Sequence, residues 1–235
     1  MKLALGKTDE GFNIYKLTID DVNSLIPAEY RKQYYEDYRE LPTGIDTVEA
    51  YSTLNCNDTS ETDIVLCFTF SIDSYEAPGA IGSIIVLDKM GRMISKINNI
   101  NTGVYDPAIS DNGKYLTVNY GFSIEGDEFM PSGFRVYEVS TGKIIVDRKP
   151  EGSLGIPFVV GDLIINGTSY FDDETRISRY YVFDTEKKTL FSRSYDSGRL
   201  QFIKEITKDG IIFKEPGSSQ TIDYFESNFQ KENLQ

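Results

Sequence analysis

Past residue 60 the chain alternates between short apolar runs and tight polar punctuation. Stretches such as "DIVLCFTFSI" (63–72), "KYLTVNYG" (114–121) and "RYYVFD" (179–184) are rich in β-branched and aromatic residues, too short for ordinary helices and cut by Gly, Asn and Asp. That pattern predicts strands. Three pairs of runs are separated by Asn112-Gly113, Gly161-Asp162 and Asp209-Gly210, dipeptides that tolerate the positive φ of tight hairpin turns, so hairpins are expected over 106–121, 155–170 and 202–215. Only "DDVNSLIPAEYRKQYYEDYREL" (20–41) has helical spacing. Pro27 suits a first turn, and Tyr30, Tyr34 and Tyr38 recur at i, i+4 and i+8 as a stripe expected to pack on the strands.

The strand pattern repeats. "SIIVLDKMGRMISKI" (83–97), "GFRVYEVSTGKIIVD" (133–147) and "RYYVFDTEKKTLFSR" (179–193) each carry a strand ending in an acid (Asp88, Glu138, Asp184), a polar turn and a second strand. The acids are 50 and 46 residues apart. A period near 48 residues, with four strands per unit, fits propeller blades. Over about 45–226 the chain resembles the WD40 and TolB-like β-propeller repeat, carried by "ISDNGKYLTV" and by "FRVYEVSTGKIIV" with its Thr141-Gly142 turn. The resemblance implies an all-β fold: one domain, 1–235, forming a small four-bladed or incomplete β-propeller with one N-terminal helix. The blades would span about 45–97, 98–148, 149–194 and 195–226. The last shows three strands, and "FNIYKLTI" (12–19) is expected to supply the fourth.

Charge and composition then narrow the chemistry. The 235 residues carry 24 Lys plus Arg against 37 Asp plus Glu, a net charge of −13. This balance disfavours nucleic acid and anionic membrane as partners and suits a basic protein. There is no histidine and no tryptophan, which removes imidazole bases, Ser-His triads and His-containing zinc sites. Cys56 and Cys67 form no CxxC-type arrangement and are expected to be free thiols. The apolar part of "MKLALGKTDEGF" is too short for a secretory leader, and no run approaches a membrane span, so a cytoplasmic protein is expected. No cofactor is implied.

In four-stranded blades the loops between second and third strands share one face. Three of them are acidic: "SIDSYEAPGAIG" (71–82), "SIEGDEFMPSG" (123–133) and "FDDETRIS" (171–178). They bring Asp73, Glu76, Glu125, Asp127, Glu128, Asp172, Asp173 and Glu174 to one rim, with Arg176 the one base, while "PGSSQ" leaves the fourth loop neutral. Tyr75, Phe122, Phe129 and Phe171 stand among these acids as candidate anchors. No D-x-D-x-D-G spacing points to calcium, so no metal site is expected. A carboxylate-pair glycosidase would need first-strand acids, and only Asp106 and Glu205 qualify. The expected function is non-enzymatic binding. In composition and architecture the chain looks like a bacterial immunity protein or antitoxin that blocks a basic toxin such as a nuclease. A scaffold or sensor module in a larger complex is the alternative.

Overall fold

The computed structural model describes residues 4–7, 13–18, 47–52, 64–72, 79–87, 93–124 and 128–234. It is an all-β fold of antiparallel sheets taken almost in chain order. Strands β1 (Ala4–Lys7), β2 (Asn13–Thr18) and β3 (Thr47–Ser52) form an N-terminal sheet. Sheet A holds β4 (Ile64–Ile72), β5 (Gly79–Leu87) and β6 (Met93–Ile100). Sheet B holds β7 (Gly103–Ile109), β8 (Tyr115–Ile124), β9 (Glu128–Glu138) and β10 (Lys143–Arg148). In sheet C, β11 (Ser153–Leu154) and β12 (Phe158–Val160) share the edge of β13 (Leu163–Asp172), followed by β14 (Thr175–Asp184) and β15 (Thr189–Asp196). Sheet D holds β16 (Ile203–Ile206), β17 (Gly210–Phe213) and β18 (Thr221–Tyr224). The last strand, β19 (Gln230–Glu232), returns to pair with β15. Among the described residues the helices are two single turns, α1 (Ser197–Leu200) and α2 (Phe225–Asn228). None is long and apolar enough to cross a membrane.

Among the described residues three apolar clusters hold sheets A to D together, at the A/B, B/C and C/D boundaries. Ile84, Val86 and Ile97 of sheet A meet Val104, Leu116 and Val118 of sheet B. Phe134, Val136 and Val146 of sheet B meet Ile164, Tyr181 and Phe183 of sheet C. Val182, Phe191 and Tyr195 of sheet C meet Ile211 and Phe213 of sheet D, with Phe225 and Phe229 sealing the margin. Sheets B and C are therefore covered on both faces, which suits unbroken apolar runs such as 180–183 of β14. Successive side chains point to opposite faces: Tyr181 and Phe183 enter the B/C cluster while Val182 enters the C/D cluster. Each such side chain contributes ~1.5–3 kcal/mol relative to leaving it in water.

The expected hairpins form as β7/β8, β12/β13 and β16/β17. Gly113 and Gly161 take the anticipated positive φ, at 67° and 61°. Gly210 does not. It is the first residue of β17, where a Cβ would sit 2.3 Å from the Asp223 carbonyl oxygen, so close approach of β18 is what demands glycine there. The recurring strand-end acids also have a local task. Asp184 Oδ1 accepts hydrogen bonds from the backbone N–H groups of Glu186 and Lys187 (3.0 and 2.9 Å), and Glu138 Oε2 accepts one from Thr141 Oγ1 (2.7 Å).

Two expectations about organisation change. The strand at 13–18 pairs with β1 and β3 and does not complete the last sheet. That pairing also removes 47–52 from the first repeat unit, leaving sheet A with three strands. The long edge available is covered elsewhere, by β19 on β15. The expected helix at 20–41 lies outside the described residues, as does Cys56; Cys67 falls within β4, in register with Ile84.

Candidate docking face

The strand ends leading into the three acidic turns are Ile72/Gly79, Ile124/Glu128 and Asp172/Thr175. Contacts between sheets show how they are aligned. Across the B/C boundary, Tyr115 packs edge-on against Phe183 and Thr117 Oγ1 donates to Asn166 Oδ1 at 3.2 Å, so β8 and β13 run the same way. Asn119 Nδ2 donates to the Gly155 carbonyl (3.0 Å), and Thr117, Asn119 and Asn166 are buried there. Across the A/B boundary, Ser95 Oγ donates to the Val139 carbonyl at one end, while Gly82 approaches Val104 at the other. Gly82 is the end of β5 nearer its turn with β4. All three pairs of strand ends therefore lie at one end of the sheet stack. At ~3.4 Å per residue, β8 and β13 extend roughly 20–24 Å beyond the Thr117–Asn166 contact.

The segments between these ends are shorter than the sequence suggests. β8 continues through Ile124 and β9 begins at Glu128, so most of "SIEGDEFMPSG" is ladder and not loop. Phe122 is in register with Met130, Phe129 with Ser123, and Glu128 with Ile124. In the same way Phe171, Asp172 and residues 175–178 belong to β13 and β14. The physical reason is that a ladder is made by the backbone; exposed polar side chains do not interrupt it. Asp73, Tyr75, Glu76, Glu125 and Asp127 lie outside the described residues.

At the tip of β13/β14, Asp172 pairs with Thr175 and leaves Asp173-Glu174 as a two-residue turn. Asp173 takes a φ of 51°, a left-handed geometry that Asp tolerates better than most residues. Asp172, Asp173 and Glu174 are exposed, and Phe171 is 73% exposed beside them. Its cross-strand neighbour Arg176 reaches back to donate to Ser169 Oγ at 3.2 Å. An aromatic ring and three carboxylates are thus carried on a two-stranded rib. Among the described residues no cluster of three or more acids or cysteines has metal-site geometry.

The two first-strand acids are used differently. Asp106, with a φ of 49° at an irregularity in β7, accepts a hydrogen bond from Asn119 Nδ2 at 3.2 Å. Glu205 is exposed on β16 in sheet D. Sequence reasoning overlooked Thr168, Arg179 and Tyr181, which line a cavity beside sheet C; each looks like an ordinary strand residue until the register puts them on one face.

No family model matches the chain, and no curated protein does. Among solved structures, one similar chain is that in a crystal structure of a eukaryotic initiation factor, at 11% identity and a TM-score of 0.22. The alignment covers 67% of this chain and 52% of that one, so this chain spans about half the length of the protein it matches. A likeness at this level carries no argument about fold or function.

Proposed function

We propose that the chain is a non-enzymatic binding protein that docks a basic protein through the end of the sheet stack bearing the acidic hairpin tips. The observation that carries this reading is Phe171, a large apolar ring 73% exposed on the β13/β14 rib among Asp172, Asp173 and Glu174. Carboxylates attract and orient a cationic partner over a distance, while a desolvated aromatic supplies short-range affinity. The net charge of −13 has the sign to assist such steering. In this reading sheets A to D are small propeller blades, a view supported by their stacking in chain order through an apolar cluster at each of the A/B, B/C and C/D boundaries. The partner class that fits is a cytoplasmic basic toxin, a nuclease being one example, with this chain as its inhibitor.

The test begins with capture of partners from native lysate and elution in rising salt. A single basic protein released as salt increases is the expected result, and only neutral or acidic partners would end the proposal. Against that protein, Phe171→Ala should weaken binding through faster dissociation, by about 2 kcal/mol or roughly 30-fold. Reversing Asp172, Asp173 and Glu174 together to Lys should instead slow association at low salt. Unchanged kinetics in both variants would place docking elsewhere.

A further inference from the structure

The chain contains two Asn-Gly dipeptides, Asn112-Gly113 and Asn166-Gly167. They are chemically alike and differently housed. Asn112 is exposed in the turn between β7 and β8, where Gly113 has a φ of 67°. Asn166 is 1% exposed within β13. It is in register with Tyr181 and Gly167 with Tyr180, and the Gly167 carbonyl accepts from the Gly155 N–H at 2.9 Å. The exposed turn also touches sheet C. Asn112 Nδ2 donates to Thr185 Oγ1 at 3.3 Å, and the Asp111 N–H donates to the Gly161 carbonyl at 3.3 Å.

In any Asn-Gly pair the side-chain amide carbon can meet the next backbone nitrogen in a small ring, and glycine has no side chain to crowd that nitrogen. We propose that Asn112 is a site of spontaneous deamidation in the folded chain, while Asn166 is protected. The Gly113 nitrogen gives its proton to hydroxide and bonds to Asn112 Cγ; the Cγ–Nδ2 bond breaks and ammonia leaves. Water then opens the succinimide at either of its carbonyls, giving aspartate or isoaspartate. Closing the ring requires rotation about the Asn112 Cα–C bond. That costs the bond from the Gly113 N–H to the Ser110 carbonyl (2.8 Å). It also loosens the bonds that Asn112 Oδ1 accepts from Ser110 Oγ (2.8 Å) and the Lys114 N–H (2.9 Å). These bonds lie in a solvated turn, so Asn112 should react roughly ten- to hundredfold more slowly in the folded chain than in the unfolded one. At Asn166 the same rotation must break the β13/β14 ladder inside sheet C, which slows it on the order of a thousandfold or more.

The two products differ in consequence. Aspartate keeps the backbone length and the oxygen acceptors for Ser110 and Lys114. Isoaspartate adds a methylene to the backbone and carries the turn out of step with Thr185 and Gly161, loosening the joint between sheets B and C at the end of the stack away from the acidic tips. The experiment incubates the full chain in mildly alkaline buffer, with and without enough urea to unfold it, and follows the peptides bearing Asn112 and Asn166 by mass spectrometry. In the folded sample the Asn112 peptide should convert while the Asn166 peptide stays an amide; in urea both should convert at similar rates. The isoaspartate fraction, separated by chromatography, should melt about 2–4 °C below the parent chain, whereas Asn112→Asp should melt with it. Equal protection of the two asparagines in the folded chain, or earlier conversion of Asn166, would overturn the proposal. An isoaspartate fraction that melts with the parent would overturn its effect on the B/C joint.

Discussion

Tyr120 is held by Asp147 and Arg135. Its hydroxyl donates to Asp147 Oδ1 at 2.8 Å, Arg135 Nε donates to Asp147 Oδ2 at 2.9 Å, and the guanidinium lies 4.2 Å over the phenol ring. Burial first, then the Asp147 hydrogen bond and charge, push the Tyr120 phenol well above its ordinary value. Tyr195 is raised likewise, by burial and then the negative charge of Asp223. Because the folded chain holds these protons more tightly than the unfolded one, their stabilisation is fully present below pH ~10. It is lost as pH climbs through the folded values. The melting temperature should thus stay flat from pH 8 to about 9.5 and fall above pH ~10. Tyr120→Phe should start lower, having lost a hydrogen bond, and fall less steeply; an identical slope would remove Tyr120 from the account. Asn112-Gly113 and Gly161-Asp162 were legible as turns because their backbone requirement is local. Thr168 and Arg179 were not, since what joins them is cross-strand register, a property of two distant segments.

At the level of elements, the return of β19 to β15 ties the end of the chain to sheet C. Glu232 of β19 accepts from both Arg179 and Ser192, at 2.7 and 2.5 Å. Just before it, Phe225 and Phe229 meet edge-on at 5.0 Å, and Phe229 also packs near Tyr195 at 6.3 Å. Phe229→Ala removes a buried ring at the C/D boundary and should cost about 3 kcal/mol, measured as a lower urea midpoint with an unchanged denaturant slope. A cost below about 0.5 kcal/mol would show that the site collapses around the gap. The alternation of "FNIYKLTI" marks a strand, but alternation does not say which edge a strand joins, and β2 found β1 and β3. The loop lengths failed for a related reason: "FDDETRIS" is polar enough to suggest a loop, yet its backbone continues the β13/β14 ladder.

Over the whole molecule, acids outnumber bases 37 to 24. Several bases are tied to acids within sheets B to D: Arg135 to Asp147, Arg179 to Glu232, Arg193 to Asp223, Arg199 to Glu215 and Lys187 to Glu226. Such partly exposed pairs contribute little each, so the uncompensated negative charge should dominate the response to salt. Raising ionic strength from 0.01 to 0.15 M shortens the screening length from ~30 to ~8 Å and should raise the melting temperature. A fall would mean that the ion pairs outweigh the surplus repulsion. The all-β class was legible from run lengths and turn dipeptides. The direction of the acidic tips required the Tyr115–Phe183 and Thr117–Asn166 contacts, which only stacked sheets create.

The β15–β19 pairing also orders events in time. Translation delivers β15 first, and its outer edge stays open until residues 230–232 leave the ribosome, 36 residues after Asp196. At ~5–20 residues per second that is a window of roughly 2 to 7 s. During it a nascent chain presents a bare strand edge, the form most prone to pairing with a neighbour on the same message. Polysome density, more than folded-state stability, would then govern how much of the protein reaches its folded form.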